Sequence, residues 1–423
     1  MDLEARLIRR YHQLVRSHMI TSDLLSPGVK SSLKNKEAFS QTQAAWRFFN
    51  NERCELGELV KPILEHAIAG SEGCQNYGLM VHDWSGLIYK KHQSKDDRFG
   101  VHNKQELGYE LQASILLNDG NGGPISPVAL NVVTKEKVLS TYCKTADCSD
   151  SHLDELAKRI KYIENCNFKK PLVHIVDREG DSVQLMRTLI GTHWLVRCRS
   201  NSNISYQGIS VRVDKLANQL TYTHARTIKY KGQEAEQYLA ETEVFITRAA
   251  KPKKTEDGKR KKIKGDAVKC RFIVSRVENN DGKILAWWYL LTNVEAVDTA
   301  IIALWYYWRW SIETFFKLLK SAGMQLESWQ QETGEAIARR LLIACMACVL
   351  VWQIAEAKGP EAGELRNILV RLSGKQMKYG VEFTKPALFT GLCSLLNTLD
   401  LLEKYEPGEL KQMLRSILGE TFV

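Results

Sequence analysis

Residues 171–181 read Pro171-Leu172-Val173-His174-Ile175-Val176-Asp177-Arg178-Glu179-Gly180-Asp181. A short, nearly continuous apolar run that ends in charge predicts a strand buried on both faces, as in a parallel sheet. The pattern extends in both directions. Upstream lies a helical stretch, His152 to Asn165. Downstream, a helix through Leu185 to Ile190 leads to another strand, Trp194 to Cys198. Further upstream, Tyr77–Tyr89, Gly108–Leu117 and Pro127–Val133 read as three strands, the last two separated by the turn Asn118-Asp119-Gly120-Asn121-Gly122-Gly123. Three strands, a helix, a strand, a helix and a strand predict an α/β layer arrangement.

On either side the rhythm changes. Leu3–His18, Phe39–Asn50 and Lys61–Ile68 carry helical spacing, so residues 1–72 are expected to form a small helical domain ending in a Gly70–Gly73 linker. Residues 73–198 form the first part of the α/β core. Residues 199–296 hold β-type runs (Ile209–Val213, Tyr238–Ile246, Arg271–Val277, Leu285–Leu291) and read as a β-rich insertion. Residues 297–350 and 351–423 are again mostly helical, the first returning to the core.

The chain has 423 residues, with 59 Lys/Arg against 49 Asp/Glu, a net charge of +10. Such an excess favours a polyanionic partner without dictating a fold. Its location is more informative. From Arg199 to Arg271 there are 17 Lys/Arg and 8 Asp/Glu, an excess of nine, whereas Met1–Asn76 is nearly balanced at 10 against 9. A charged share of 26% with 44% hydrophobic residues excludes wholesale disorder. The ten cysteines are not expected to form a disulfide framework, since the N-terminal stretch does not read as a secretory signal. Cys345 and Cys348 sit in the apolar run Leu341–Trp352, which at twelve residues is short of the ~20 that a membrane span needs. A cytoplasmic protein with no membrane association is expected.

Three acids stand out by context. Asp83 lies inside the first strand, in Met80-Val81-His82-Asp83-Trp84, and Asp177 ends the fourth. A charge in or just past a buried strand is costly unless it is used or paired. Glu313 follows Trp305-Tyr306-Tyr307-Trp308-Arg309-Trp310-Ser311-Ile312. Tyr306, Arg309, Glu313, Lys317 and Lys320 recur at spacings of three and four, which places them on one helix face. By spacing alone an ordinary solvated face, with Glu313 and Lys317 as an i,i+4 pair, is the plainer reading. His82 points away from Asp83 by strand alternation and reads as structural.

These residues carry a resemblance. The chain is similar to the DDE transposases of bacterial insertion sequences, and within them resembles insertion-sequence family four, the branch that includes the transposon-five transposase. The branch signature of Tyr, two residues, Arg, three residues, Glu, six residues and Lys is matched by Tyr306, Arg309, Glu313 and Lys320. The family's Asp-Arg-Glu-Gly/Ala-Asp stretch is matched by Asp177–Asp181, and its strand tryptophan by Trp288 in Trp288-Tyr289-Leu290-Leu291-Thr292-Asn293. Ala45-Trp46-Arg47-Phe48-Phe49-Asn50 resembles the family's Ala-Tyr-Arg-Phe-Phe segment. The chain departs from it at Trp84 and Ser85, where small hydroxyl residues are usual.

The resemblance implies a ribonuclease H-like mixed-sheet catalytic core interrupted by the β-rich insertion, with helical N-terminal and C-terminal regions. It implies that Asp83, Asp177 and Glu313 are catalytic and hold two Mg2+ ions, with Mn2+ able to substitute. Hard cations of this kind take carboxylate and phosphate oxygens. Arg309, Lys317 and Lys320 are then expected on DNA phosphates, Arg through its bidentate fork, and Tyr306 either hydrogen-bonds a phosphate or packs in the core. Arg197 and Arg199 are further phosphate candidates. Trp288 is either a platform for a flipped base or a packed strand aromatic. Lys259, Arg260, Lys261 and Lys262 are either a phosphate-tracking run or a solvated tip, and Arg47 belongs to a candidate reader of DNA ends. The implied activity is cut-and-paste DNA transposition by a homodimer in a synaptic complex, through strand hydrolysis, hairpin formation and strand transfer at double-stranded transposon ends into target DNA. The implied setting is the bacterial cytoplasm, at the nucleoid when bound to DNA. A stand-alone nuclease and a domesticated DNA-binding protein without catalysis are the competing readings.

Overall fold

The computed structural model describes residues 4–21, 35–144, 151–250 and 262–419. The chain divides into two compact units, one of residues 62–85 and 110–314, the other of residues 1–61, 86–109 and 315–423. Thirteen strands are described: β1 Gly78–Ile88, β2 Phe99–Gly100, β3 Leu107–Asn118, β4 Pro124–Val133, β5 Val138–Ser140, β6 Leu172–Val176, β7 His193–Arg197, β8 Asn203–Tyr206, β9 Ile209–Arg212, β10 Thr223–Tyr230, β11 Gln233–Ile246, β12 Val268–Glu278 and β13 Ile284–Thr292.

The first unit is built on a mixed sheet ordered β5-β4-β3-β1-β6-β7-β13-β12-β11-β8-β9, with β10 paired to β11. β1, β6 and β7 are parallel to one another, while β3 and β4 form an antiparallel pair. This is the ribonuclease H-like arrangement expected from the sequence. All five residues of β6 are buried, as its apolar run predicts. The helix His152–Glu164 starts at a capping box in which Ser151 and Asp154 satisfy each other's backbone N–H groups. Leu156 and Ile160 of that helix join Val176, Trp194 and Val196 in one buried cluster, and Ile163 joins Met80 and Leu172 in another.

The strands of residues 199–296 add directly to the core sheet. β13 pairs antiparallel to β7 at Leu290↔Arg197, Leu291↔Val196 and Thr292↔Leu195, and β12 and β11 follow. β8 and β10 were not evident in the sequence. β10 reads Thr-His-Ala-Arg-Thr-Ile-Lys-Tyr, polar because it pairs on one side only and most of its side chains stay at least partly exposed.

The turn 118–123 organises the site that follows. Asp119 is buried and accepts the backbone N–H groups of Gln75 (2.6 Å), Asn76 (2.8 Å) and Tyr77 (2.9 Å), which fixes the entry to β1. Its carbonyl accepts the Trp305 indole at 3.3 Å. Gly122 has φ +69°, and a Cβ there would stand 2.4 Å from the ring of Trp308. Only glycine allows both the left-handed turn and the ring's approach. The same turn therefore holds the start of β1 and the helix Thr299–Trp308.

The expected single helix through Glu313 is divided. Thr299–Trp308 and Ser311–Lys317 are joined at Arg309-Trp310, where Arg309 N–H bonds to Tyr306 and Ile312 N–H bonds to Arg309 in the tighter i,i+3 pattern. A π-helical turn, Leu318–Ala322, continues the chain. The face drawn from regular spacing is thus interrupted twice between Tyr306 and Lys320.

The second unit is helical. Ala5–Thr21, Asn35–Phe49 and Leu56–Leu59 come from the N-terminal region, and Gly334–Glu356, Pro360–Leu372, Lys385–Leu402 and Pro407–Leu418 from the C-terminal one. Buried Arg339 donates to the carbonyls of Phe49 (2.7 Å) and Cys54 (2.9 Å), joining the two regions. The apolar run at 341–352 lies within a longer helix, Gly334–Glu356. That helix is long and apolar enough to cross a membrane, and 78% of its most apolar window is buried inside the protein. Cys345 and Cys348 are buried there, and burial pushes both thiols well above their ordinary range.

Candidate active site

The parallel register of β1 and β6 runs from Gly78↔Leu172 through Val81↔Ile175, so Asp83, two residues further along β1, and Asp177, one residue past the end of β6, come at the same end of the strand pair. Asp83 Oδ1 accepts the Trp84 N–H at 2.9 Å. Asp177 leaves β6 and caps the one-turn helix Arg178–Gly180, with Oδ1 accepting the Glu179 N–H at 2.8 Å. Arg309 then joins the first and third acids. Its Nη1 donates to Asp83 Oδ2 at 3.0 Å and its Nη2 to Glu313 Oε1 at 2.9 Å. The guanidinium is 6% exposed, Asp83 20% and Glu313 40%, so the bridge opens to solvent on the Glu313 side.

The local charge is unbalanced. Burial pushes the Asp83 carboxyl up to about 6, Arg309 and the Trp84 N–H oppose this, and the like charges of Asp177 and Glu313 add to it. Burial alone would weaken Arg309's hold on its proton, but Tyr306 and the three acids raise it further above its ordinary value. Tyr306 is fully buried, and burial raises its phenol; Arg309, Arg197 and Asp177 are all close enough to act on it. Its hydroxyl has no hydrogen-bond partner, and neither do Arg309 Nε and Arg197 Nε. Three carboxylates around one guanidinium form an oxygen-rich, net-negative donor set that suits a hard divalent cation. Among the described residues no group of three or more His, Cys, Asp or Glu is already arranged to hold a metal. The donor chemistry fits divalent metal, while two of the three carboxylates are engaged by Arg309.

Other expected residues fall elsewhere. Trp288 is 3% exposed, enclosed by Tyr230, Tyr306 and Tyr307 with ring centroids 6.0–6.3 Å away. It presents no open face to a base, and its packing alternative accounts for what is seen. Trp287 points to the other side of the sheet, against Tyr222 and Tyr289. Arg197 stands by Tyr306, and exposed Arg199 turns its backbone N–H toward Asp181 at 2.9 Å. Lys317 and Lys320 belong to the helical unit. Lys317 is exposed, whereas Lys320 donates to the Gly86 carbonyl and lies 3.7 Å from Glu327, with burial lowering its pKa. Arg47 is exposed on its helix and Lys262 is exposed, while Lys259, Arg260 and Lys261 lie outside the described residues. His82 is buried, as expected, in a chain from Ser114 (2.8 Å) through His82 and His174 (2.9 Å) to Glu164 (2.7 Å).

Sequence reasoning missed two supports. Asp181, the last residue of the quoted stretch, has a fully buried side chain that accepts from Arg199 N–H, Ser202 Oγ and Arg248 Nη2. It fastens the loop after Asp177 to the strands beyond β7. His152 lies 3.0 Å from Glu110 and 3.6 Å from Glu179, with its ring 4.7 Å from that of Trp84. The Glu110 hydrogen bond raises its pKa above 6.5, against burial. The protonated form is therefore favoured on folding. Its stabilisation is complete below the unfolded value near 6.5 and is lost as pH rises through the raised folded value. Melting temperatures of wild type and His152→Gln should differ at pH 6 and converge by pH 9; a gap independent of pH would assign His152 to packing on Trp84.

Comparison with known proteins adds three findings. Residues 124–350 match the family model described as the transposase DDE domain, a span that contains Asp177 and Glu313 and begins after Asp83. No curated protein matches the chain. Among solved structures, the cryo-EM structure of a piggyBac transposase synaptic complex with hairpin DNA aligns with 99% of this chain and 77% of its own, at 11% identity and a TM-score of 0.40.

Proposed function

This chain belongs to the transposase DDE domain family, whose members carry out metal-dependent DNA cleavage and strand transfer, and from that premise we propose that Asp83, Asp177 and Glu313 are its catalytic acids. The observation that carries this is the gathering of Asp83 and Glu313 on one guanidinium, with Asp177 one residue past the end of the adjacent parallel strand. The proposed cofactor is Mg2+, two ions per site, with Mn2+ substituting. Bound metal supplies activation of a water or 3′-hydroxyl and stabilisation of the leaving oxygen at phosphorus. The chain's own groups position the DNA. Arg309, Arg197 and Tyr306 offer unpartnered donor atoms to a phosphate. Lys317, Lys320, Arg199, Arg47 and the run Lys259–Lys262 bind phosphates less specifically.

The finer proposal is cut-and-paste transposition of a bacterial insertion sequence by a homodimer, acting on double-stranded transposon ends and then on target DNA through a hairpin intermediate, in the branch marked by Tyr306, Arg309, Glu313 and Lys320. The proposed location is the cytoplasm, at the nucleoid. A flipped base would reach Trp288 only after Tyr230 and Tyr307 move off it. The deciding assay supplies pre-cleaved ends and a target plasmid with Mg2+. Joined product supports the transposase reading, and cleavage without joining supports a nuclease on the same core. Absence of both with retained DNA binding supports a domesticated binding protein.

A further inference from the structure

We propose that Arg309 is an exchangeable counter-charge: it holds Asp83 and Glu313 until a DNA phosphate draws it away, so that the carboxylates become available to divalent metal only as DNA binds. This rests on the reading of the three acids as metal ligands and adds an order of events to it.

Three observations carry the inference. First, Arg309 donates to Asp83 (3.0 Å) and Glu313 (2.9 Å), so a single side chain engages one oxygen on each of two of the three acids. No group of three ligating side chains is arranged for a metal among the described residues. A cation entering the acids must displace this guanidinium or share their oxygens with it. Second, the bridge is asymmetric. Asp83 is 20% exposed and held in a strand, whereas Glu313 is 40% exposed at the start of a short helix, four residues after Arg309. Glu313 is the partner that releases more easily. Third, the donors that a phosphate would use are already unpartnered. Arg309 Nε, Arg197 Nε and the Tyr306 hydroxyl are buried without a hydrogen bond, and Tyr306 is within electrostatic reach of both arginines. A buried donor left without an acceptor is costly. A phosphodiester offers the acceptors these donors lack, and its two free oxygens pair with a guanidinium in the bidentate way a carboxylate does, so it competes directly with the carboxylates.

The consequence is a two-way coupling. If DNA frees the carboxylates, DNA raises the affinity for metal, and metal raises the affinity for DNA by the same factor. A site that takes metal only beside DNA is also protected from acting without its substrate.

The test uses the full chain and Mn2+, with free Mn2+ counted by electron paramagnetic resonance, with and without a short DNA duplex; metal bound to duplex alone is subtracted. For the wild type, duplex should tighten Mn2+ binding by about tenfold or more, within the range usual for coupled sites. Arg309→Gln should bind Mn2+ without DNA about tenfold more tightly than wild type and lose most of the response to duplex. Arg309→Lys keeps the charge but cannot bridge both acids, and should fall between the two. It also serves as the second variant if circular dichroism shows that Arg309→Gln is unfolded. Equal Mn2+ affinity with and without duplex in the wild type overturns the exchange. So does an undiminished response to duplex in either folded variant. Asp177→Asn separates this failure from failure of the underlying reading: if it leaves Mn2+ binding in the presence of duplex unchanged, the acids are not the ligands. If it abolishes that binding while the coupling is absent, the acids stand and only the exchange is lost.

Discussion

Changing Asp83 or Asp177 to Asn, or Glu313 to Gln, should each reduce Mg2+-dependent strand cleavage by roughly a thousandfold, while duplex binding measured without metal is retained. Metal at such a site stabilises transition-state charge by several kcal/mol, and about 4 kcal/mol corresponds to three decades in rate. The amides preserve shape and an oxygen acceptor for Arg309 or the Glu179 N–H, so the fold should survive. Cleavage rates on labelled ends, with circular dichroism as a folding control, check this. Any one variant that retained cleavage within tenfold of wild type would remove that residue from the catalytic set.

The second large effect is structural. Asp181→Ala should destabilise the unit of residues 62–85 and 110–314 by about 3–5 kcal/mol, the usual cost of removing one partner from a buried ion pair. Arg248, Ser202 and the Arg199 N–H all lose an acceptor at once. A fall in the urea midpoint, with an unchanged slope, is the expected readout. Arg248→Ala should do less, because Arg248 is 23% exposed and Asp181 would keep two donors. Equal effects would mean that the pair, rather than the three-way junction, sets the stability.

The contrast between Asp177 and Asp181 shows what the sequence could convey. Asp177 was legible because a charge at the end of a doubly buried strand has few uses. Asp181 stood four residues away in the same quoted stretch, yet its partners lie 18 to 67 residues further on and leave no periodic trace. The core strands were legible from apolar runs, and β6 and β7 came within a residue or two of their predicted ends. That the β-rich region would continue the same sheet was not, since pairing of β13 with β7 depends on contacts about 95 residues apart. Arg309 was expected on phosphate, but its bridge to Asp83 spans 226 residues. Helical spacing assigned Tyr306 to a polar face. It is buried, with Trp288 packed against it, a contact that periodicity within one helix does not encode.

The junction of β7 and β13 has a consequence for how such a chain can change. The Cys198 N–H bonds to the Tyr289 carbonyl at 2.8 Å, so the excursion between them begins and ends at one place. Lengthening a flexible segment within a closed excursion costs only about 0.6 kcal/mol per doubling of its length. The excursion's hairpin tips can gain or lose residues without displacing Glu313 from Asp83 and Asp177. Evolution and protein engineering can therefore vary those tips in length and charge, provided that Arg199, Ser202 and Arg248 keep their hold on Asp181.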